Sequence, residues 1–281
     1  MVSQGKSGTP FPITTVRRKL VTQVGTSDGT RNIPEEVAVA FTFGRATFAV
    51  MMATPDDLED FATGFSLTEG IIQSLSEIAS MEVVPHAQGA ELRMTLNENR
   101  DAQLLSRRRQ LAGPAGCGLC GIESLEAAIR TAREVTAEIR VDPPTIFAAL
   151  RALRECQRLN QATHAVHAAG FWSVAQKELL FVREDVGRHN ALDKLAGALA
   201  RSGADPATGF IVLSSRLSIE LVQKAAMIGC PMLVAVSAPT SFALQAADAA
   251  GMTLVAVARD DSFEIFTRPK RVLTMAADEA R

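Results

Sequence analysis

The feature that most constrains the fold is a regular alternation of apolar strands and amphipathic helices between residues 162 and 258. Short apolar runs predict strands at 165–174, 179–183, 210–213, 232–236 and 253–258. Helical spacing predicts helices at 190–200, 218–228 and 241–250. Strands joined through helices form a largely parallel sheet with helices on its faces, whereas the first two strands favour an antiparallel hairpin. The pattern therefore predicts a three-layer α/β/α domain.

The first 110 residues carry a different pattern, which predicts a small α+β domain. Apolar runs favour a hairpin over 37–52 and short strands over 81–85 and 90–96. Thr54 and Pro55 suit the start of a helix, and Gly70 suits its end.

We divide the chain into three parts on these patterns. Residues 1–30, rich in Gly, Ser and Thr, are expected to form a flexible arm leading into an edge strand. Residues 31–121 form the N-terminal α+β domain, and residues 122–281 form the C-terminal α/β domain. The fold class is therefore α/β, with a smaller α+β domain in front.

Composition excludes several classes of protein. The chain has 281 residues, is 47% hydrophobic and 21% charged, and carries a formal net charge of -2, which argues against a general nucleic-acid-binding protein. We find no apolar run of about eighteen residues and no signal-peptide core in residues 1–12. We therefore expect a cytoplasmic protein that binds neither nucleic acid nor membranes.

Two cysteines in a glycine-rich loop are the clearest chemical signal. The run Gly113-Pro-Ala-Gly-Cys-Gly-Leu-Cys-Gly-Ile122 places Cys117 and Cys120 three residues apart, among residues that keep a loop open. Cys156 and Cys230 lie in apolar patterns and are expected to be buried. In a reducing compartment, a close cysteine pair is typical of catalysis or metal binding.

Three chemistries compete for this pair. One C-x-x-C supplies two of the four ligands of a zinc site, so we expect no tightly held metal in a single chain. A thioredoxin-like motif normally opens a helix after a strand, which this loop does not. An exposed thiolate on a loop that visits a donor and then an acceptor fits sulfur transfer better.

Four polar loops follow predicted strands of the C-terminal domain, at residues 183–190, 214–216, 237–241 and 259–262. Ligands of open α/β sheets bind beyond the carboxyl ends of the strands, and helix starts favour anions. An anionic ligand would be met there by four arginines and five hydroxyl groups, namely Arg183, Arg188, Arg216, Arg259, Ser214, Ser215, Ser237, Thr240 and Ser241. The alternative for each hydroxyl group is simple capping of a helix.

The histidines give weaker signals. His189 suits a base, a phosphate donor or a hydrogen-bonding partner of Asp185, and a purely structural role is equally consistent with the sequence. His164 and His167 are expected on opposite faces of one strand, with functional and structural roles both open. His86 carries no signal.

Four strings of residues closely resemble the formate dehydrogenase accessory sulfurtransferase family. They are Asp57-Leu-Glu-Asp-Phe-Ala-Thr-Gly-Phe-Ser-Leu-Thr-Glu-Gly-Ile-Ile72, Gly116-Cys-Gly-Leu-Cys-Gly121, Arg183-Glu-Asp-Val-Gly-Arg-His-Asn-Ala-Leu-Asp-Lys194, and Glu220-Leu-Val-Gln-Lys-Ala-Ala226 with Ala238-Pro-Thr-Ser241. The resemblance runs from about residue 37 to 271. The long strings are specific, whereas the C-x-x-C alone is not.

The resemblance implies a cytoplasmic, homodimeric sulfur carrier that serves formate dehydrogenase. Such a protein takes persulfide sulfur from a cysteine desulfurase and passes it to a molybdenum or tungsten bis(molybdopterin guanine dinucleotide) cofactor, before that cofactor enters the catalytic subunit of formate dehydrogenase. The C-terminal domain would bind the cofactor with a cytidine-deaminase-like topology. The deaminase motif H-x-E with P-C-x-x-C is absent here, so deamination is not expected.

The resemblance also implies residue roles. Cys117 matches the persulfide carrier and Cys120 its partner, and the cofactor-binding stretch corresponds to Val257, Ala258, Arg259, Asp260, Asp261 and Ser262. We expect further cofactor contacts from the loops, at Arg188, His189, Ser215, Arg216, Ser237 and Thr240. This chain departs from the family at His164-Ala-Val-His-Ala-Ala, where Thr-Gly-Gly before His-Ala-Ala is frequent, and at Ser215-Arg216, where Gly-Arg is frequent.

Two other functions remain open at this point. One is a chaperone that binds the cofactor and inserts it without transferring sulfur, with the cysteines holding the loop or bridging subunits. The other is a thiol-disulfide oxidoreductase.

Overall fold

The computed structural model describes residues 11–97 and 132–274, which form two units of strands and helices and a projecting hairpin. Cys117, Cys120 and the predicted boundary at residue 121 lie outside these ranges. None of the helices in the described ranges is long and apolar enough to cross a membrane.

The N-terminal unit is a four-stranded sheet with one helix on its inner face. Its elements, with the preceding hairpin, are β1 (Ile13–Thr22), β2 (Gly25–Pro34), β3 (Val37–Phe43), β4 (Ala46–Ala53), α1 (Leu58–Thr68), a 3-10 turn (Leu75–Glu77), β5 (Ile78–His86) and β6 (Gly89–Leu96). The sheet order is β4-β3-β6-β5, and β3 and β6 are parallel. Phe41 packs against Phe61 and Phe65 of α1, with ring centroids 4.9 and 4.0 Å apart. The predicted hairpin and helix are confirmed, but the helix begins at Leu58 rather than at Thr54 and Pro55. The Thr54 hydroxyl does not cap it and instead accepts from the N–H of Val186 at 3.1 Å.

Residues 11–30, the described part of the predicted arm, consist mostly of strand. Where a flexible arm was expected, β1 and β2 pair antiparallel along their whole length, from Ile13 opposite Pro34 to Thr22 opposite Gly25. Thr14 Oγ1 donates to Glu35 Oε2 at 2.6 Å near the base of this hairpin. The backbone ladder forms the element although β2 has almost no apolar side chains to signal it.

The C-terminal unit is a six-stranded mixed sheet. Its elements are α2 (Pro143–Cys156), α3 (Arg158–Thr163), β7 (His167–Ser173), β8 (Glu178–Asp185), α4 (Arg188–Ser202), a 3-10 turn (Pro206–Thr208), β9 (Gly209–Leu213), α5 (Ile219–Met227), β10 (Met232–Ala235), α6 (Ser241–Ala249), β11 (Thr253–Ala256), β12 (Glu264–Thr267) and a 3-10 turn (Pro269–Arg271). The order is β12-β11-β10-β9-β7-β8, in which β9, β10 and β11 are parallel.

Helices cover both faces of this sheet, as predicted. Leu192 and Leu195 of α4, with Leu221 of α5 and Ala247 of α6, belong to the core on one face. Leu153 of α2 belongs to the core on the opposite face. The three-layer α/β/α arrangement is thus present, while the cytidine-deaminase-like topology stays a prediction.

The two units join where α1 crosses α4, and two glycines allow the close approach. A Cβ placed on Gly64 would lie 1.6 Å from the backbone oxygen of Asp193, and one on Gly197 would lie 1.9 Å from the backbone oxygen of Asp60. Neither backbone can yield to a methyl group without the helices moving apart. The crossing therefore depends on glycine at both positions.

Buried ion pairs surround this crossing. Lys194 Nζ lies 2.7 Å from Asp185 Oδ2 and donates to the carbonyl of Thr54 at 2.9 Å, with both charged side chains fully buried. Asp185 also accepts from the backbone N–H of Thr54 at 3.0 Å. The backbone of Thr54, which precedes α1 in the N-terminal unit, thus hydrogen-bonds to both members of an ion pair of the C-terminal unit.

A second buried cluster includes Asp193, the residue that precedes Lys194 in α4. Lys224 Nζ of α5 contacts Asp193 Oδ1 and Glu69 Oε1, both at 2.9 Å, and Thr68 Oγ1 donates to Asp193 at 2.6 Å. Burial raises the pKa of Asp193, while Asp193 and Glu69 raise the pKa of Lys224 against the effect of burial. Together α1, α4 and α5 share this cluster.

We expect Gly197→Ala to destabilise the protein by about 1–3 kcal/mol or more, because the added methyl group would collide with the backbone of α1. Alanine for glycine inside a helix normally stabilises by roughly 0.5–1 kcal/mol, so the sign of the effect is diagnostic. The measurement is the free energy of unfolding in a urea titration. Ser202→Ala, at an exposed position of the same helix, should change it by less than about 0.5 kcal/mol. A stabilised Gly197→Ala variant would contradict the close crossing.

Candidate functional site

Four strands of the C-terminal sheet end at the same edge. β8 and β9 are both antiparallel to β7, and β9, β10 and β11 are parallel, so all four strands point the same way. Three of the loops that leave this edge enter α4, α5 and α6, and the fourth follows β11. The structure thus confirms the predicted convergence of the four polar loops at the carboxyl edge.

Backbone hydrogen bonds tie neighbouring loops together at this edge. The N–H of Thr240 donates to the carbonyl of Leu217 at 2.9 Å, and that of Val257 donates to the carbonyl of Ser237 at 3.3 Å. Thr240 also caps α6, since its hydroxyl accepts from the N–H of Ala243 at 3.3 Å. The loops after β9, β10 and β11 therefore form one continuous rim.

Cationic and imidazole groups lie along this rim. Arg188 and His189 begin α4, and Arg216 is exposed in the loop after β9. His189 Nε2 lies 3.3 Å from Ser218 Oγ and 3.8 Å from Glu220 Oε2, both at the start of α5. Arg188 Nε is buried and has no hydrogen-bond partner within the described ranges.

Both histidines near Arg188 are held neutral. Burial lowers the pKa of His189 to about 4, and the positive charge of Arg188 contributes to the shift. Burial also lowers the pKa of His167, with further contributions from Arg188 and Arg216. At neutral pH the positive charge of the rim therefore comes from its arginines.

The stretch after β11 is built around an unusual backbone conformation. Val257 has a φ of 52°, a left-handed conformation that β-branched residues rarely adopt. The guanidinium of Arg259 donates to the carbonyls of Val236 and Ala258. The backbone N–H of Arg259 donates to the carbonyl of Ser262 at 2.7 Å. The bond from Arg259 to Val236 thus connects this turn to the loop after β10.

The other residues of this stretch point away from a shared centre. Asp260 pairs with Arg154 of α2. Ser262 Oγ donates to Asp261 Oδ1 at 3.1 Å, and both residues are exposed. The structure therefore brings Val257, Ala258 and Arg259 to the rim and leaves the next three residues at its exposed margin.

Three predicted ligand contacts are corrected. Arg183 does not face the rim, because its Nε and Nη2 bind Asp60 Oδ2 at 2.8 and 2.6 Å in the joint between the units. Ser214 Oγ accepts from the N–H of Ala168 at 2.8 Å and so extends the sheet ladder. Ser215 is buried, and its hydroxyl donates to the carbonyl of Arg216 at 3.1 Å. The hydroxyl groups of Ser214 and Ser215 are thus both hydrogen-bonded to backbone groups.

Two further sequence expectations need correction. His164 does not belong to β7, because it closes α3 in a left-handed conformation with a φ of 56°. Cys156, expected to be buried, is exposed at the end of α2, whereas Cys230 is buried as predicted. Burial raises the pKa of Cys230 to about 12.

Sequence reasoning missed the buried charges beneath the rim, at Asp185, Asp193, Lys194 and Lys224. All four lie within family-like strings, but their positions were assigned to loops and helix faces in general. A signal existed in α4, where Asp193 and Lys194 lie between Leu192 and Leu195. A helix without a polar face is buried on all sides, so its charges need partners inside the protein.

The chemistry available at the rim is binding of an anionic ligand. The starts of α4, α5 and α6 present backbone N–H groups and positive dipole ends, and Arg188 and Arg216 add charge. Neutral His189 can donate or accept one hydrogen bond beside them. Ser237, half-buried in the loop after β10, adds a hydroxyl group.

Comparisons with known proteins agree with this architecture. Residues 34–273 match the model of the FdhD/NarQ family. The chain is 53% identical over 246 residues, 87% of its length and 90% of the relative's, to a protein of Agrobacterium fabrum named sulfur carrier protein FdhD. It is 47% identical over 240 residues, 85% of both chains, to a protein of the same name from Xanthomonas campestris.

A solved structure is similar as well. The crystal structure of a putative formate dehydrogenase accessory protein from Desulfotalea psychrophila superimposes with a TM-score of 0.75 and 25% identity, covering 93% of this chain and 99% of that one. The matched residues include β3 to β12, the joint between the units and every loop of the rim. On this evidence the chain belongs to the FdhD/NarQ family.

Proposed function

We propose that this protein is a sulfurtransferase that carries persulfide sulfur on Cys117. A cysteine desulfurase is the donor, and the acceptor is the molybdenum or tungsten of a bis(molybdopterin guanine dinucleotide) cofactor destined for a formate dehydrogenase. The observation that carries the proposal is the 53% identity to a named sulfur carrier over 246 residues. The cationic rim supports the acceptor half, because the nucleotide end of the cofactor is anionic.

The environments of the other two cysteines support Cys117 and Cys120 as the reactive pair. Sulfur transfer needs a thiolate, and burial keeps Cys230 protonated at neutral pH by raising its pKa to about 12. Cys156 is exposed but lies at the end of α2, on the face opposite the rim helices. The glycine-rich pair is then the remaining candidate.

The proposed chemistry has two steps. The Cys117 thiolate attacks the outer sulfur of the desulfurase persulfide, which forms Cys117–S–SH and releases the desulfurase thiolate. Attack by Cys120 on the Cys117 sulfur then forms a disulfide between the two cysteines and delivers sulfide to the metal. Two thiols supply the two electrons, and a cellular thiol must reduce the disulfide before the next cycle.

Intact mass measures the first step directly. Incubation with a cysteine desulfurase and cysteine should add about 32 Da, the mass of one sulfur atom, in a form that reductant removes. Cys117→Ala should abolish the gain, because it removes the attacking thiolate. Cys120→Ala should retain it, because release is blocked.

The exposed Cys156 offers the matched control. Cys156→Ala should behave as the unmodified chain does, since its thiol takes no part. A gain of sulfur that persists in Cys117→Ala would refute the assignment. A complete lack of gain in every variant would favour the insertion chaperone, in which the protein binds the cofactor without carrying sulfur.

The rim gives a second prediction, with GDP as a probe of the nucleotide end of the cofactor. Arg216→Ala should raise the dissociation constant for GDP about tenfold, because a hydrogen bond to a charged group contributes about 1.5–3 kcal/mol. Isothermal titration calorimetry measures this change. Arg151→Ala, at an exposed position of α2 on the other face, is the control. Equal affinities for both variants would remove Arg216 from the site.

The neutral state of His189 predicts a pH dependence of stability. Its pKa is about 4 in the folded chain and 6.5 in the unfolded chain, so the unfolded chain takes up the proton first as the pH falls. The free energy of unfolding therefore decreases between pH 6.5 and 4, by up to about 1.4 kcal/mol per unit from this group. His189→Gln should remove that part of the decrease in denaturant titrations at several pH values. Parallel curves for the two chains would contradict a neutral His189.

A further inference from the structure

The hairpin of β1 and β2 extends away from its own chain. Every residue from Lys19 to Asp28 is exposed, so roughly 15 Å of the hairpin does not pack against residues 35–97 or 132–274. Its apex is apolar, with Leu20, Val21 and Val24 exposed by 42%, 71% and 97%. A two-stranded hairpin is marginally stable alone in water, so this geometry favours a surface that covers the apex.

Charge indicates which surface is complementary to the hairpin. Residues 13–34 carry four basic side chains and one acidic one, which gives the hairpin a net charge of +3. Residues 35–97, the N-terminal unit, carry ten acidic and two basic side chains, whereas residues 132–274 carry fourteen acidic and sixteen basic ones. Four of the ten acidic side chains lie at the joint and pair with Arg183, Arg201 and Lys224, namely Asp57, Glu59, Asp60 and Glu69. The other six acidic and two basic side chains leave the rest of the N-terminal unit with a net charge of -4, to which the hairpin is the electrostatic complement.

The outer face of the four-stranded sheet has a matching apolar surface. The cross-strand pairs Ala38 with Met52 and Ala40 with Val50 place these side chains on the face opposite α1. Val50 and Met52 are 49% and 52% exposed. Gly89 continues the first row on β6, so small residues form a shallow floor beside the two larger side chains.

Acidic side chains border this floor. Glu91 lies opposite Ala40 on β6, and its neighbour Glu82 on β5 is exposed. Hydrogen bonds from Arg93 and Thr42 lower the pKa of Glu91, so its carboxylate stays charged. Arg93 lies opposite Glu82 and pairs with Glu91 at 2.8 Å, so these three side chains leave a net charge of -1 beside the apolar floor. The hairpin combines an apolar apex with Arg17, Arg18 and Lys19 directly behind it.

We propose that the hairpin of one protomer packs its apex on the outer face of the four-stranded sheet of a second copy of this chain. The proposal goes beyond the proposed function, in which one chain suffices for sulfur loading, by assigning a contact between two copies. By symmetry each protomer gives one hairpin and receives one, which makes two equivalent contacts.

Sedimentation velocity over a range of concentrations tests the hairpin side. Val21→Glu/Val24→Glu should raise the dissociation constant of the dimer at least tenfold, because it places charge in the apolar contact. Leu273→Glu is the control, since Leu273 is 51% exposed in the C-terminal unit and should leave dimerisation unchanged. An unmodified chain that is monomeric at tens of micromolar would overturn the proposal.

The receiving side is tested independently. Val50→Glu/Met52→Glu should weaken the dimer as strongly as the hairpin variant does. Arg17→Glu/Lys19→Glu leaves the apolar apex intact and should also weaken it, with an effect that shrinks as ionic strength rises. If both variants dimerise like the unmodified chain, the two surfaces do not meet.

Cross-linking identifies the surface that the hairpin apex contacts, without a substitution in the rest of the fold. A photoreactive benzophenone amino acid in place of Val24 should give cross-linked peptides from β4, and mixing ¹⁴N and ¹⁵N chains should show that they join different copies. Cross-links within one chain, or to another protein in a cell extract with none to β4, would refute self-association. Sulfur loading in the intact-mass assay needs one chain, so its outcome is separable from this one.

Discussion

The crossing of α1 over α4 is the contact on which the rest of the structure depends. Two glycines bring the helix backbones together, and this closeness excludes water from the charges beside them. Lys194 with Asp185, and Lys224 with Asp193, are then buried ion pairs whose desolvation is offset only while both partners are in place. Both pairs lie within the C-terminal unit, and Thr54, Thr68 and Glu69 of the N-terminal unit complete their contacts. Separation of the units would remove these partners and expose the charges to water, so the crossing and the ion pairs reinforce each other.

This joint also sets the geometry of the rim. Arg188 and His189 occupy the first turn of α4, and Asp193 lies one turn further along the same helix. Ser218 and Glu220 begin α5, and Lys224 follows one turn later. Each helix therefore contributes its start to the rim and its next turn to the joint. A shift of either start would have to disturb buried charges, which makes the rim a preorganised surface.

Much of the fold was predictable from sequence because the elements bury apolar faces. The strands and helices of the C-terminal unit and the hairpin of β3 and β4 carry that periodicity. The hairpin of β1 and β2 does not, since it forms through backbone pairing and buries little.

The candidate site was predictable at the level of its loops. Individual contacts were not, because Ser214 and Arg183 have partners distant in sequence, and composition does not reveal which backbone group or carboxylate will meet each side chain.

The backbone of Val257 supports the proposed site on grounds independent of family resemblance. A β-branched residue at a φ of 52° costs free energy, of order 1–3 kcal/mol, and persists only where its surroundings impose it. Three hydrogen bonds hold this conformation in place. The backbone N–H groups of Val257 and Ala258 donate to the carbonyls of Ser237 and Ala235, and the guanidinium of Arg259 donates to the carbonyl of Val236. Such conformations cluster where a protein must hold backbone groups ready for a ligand. The strain lies at the end of β11, beside the starts of α5 and α6, which is where charge and helix dipoles independently favour an anion.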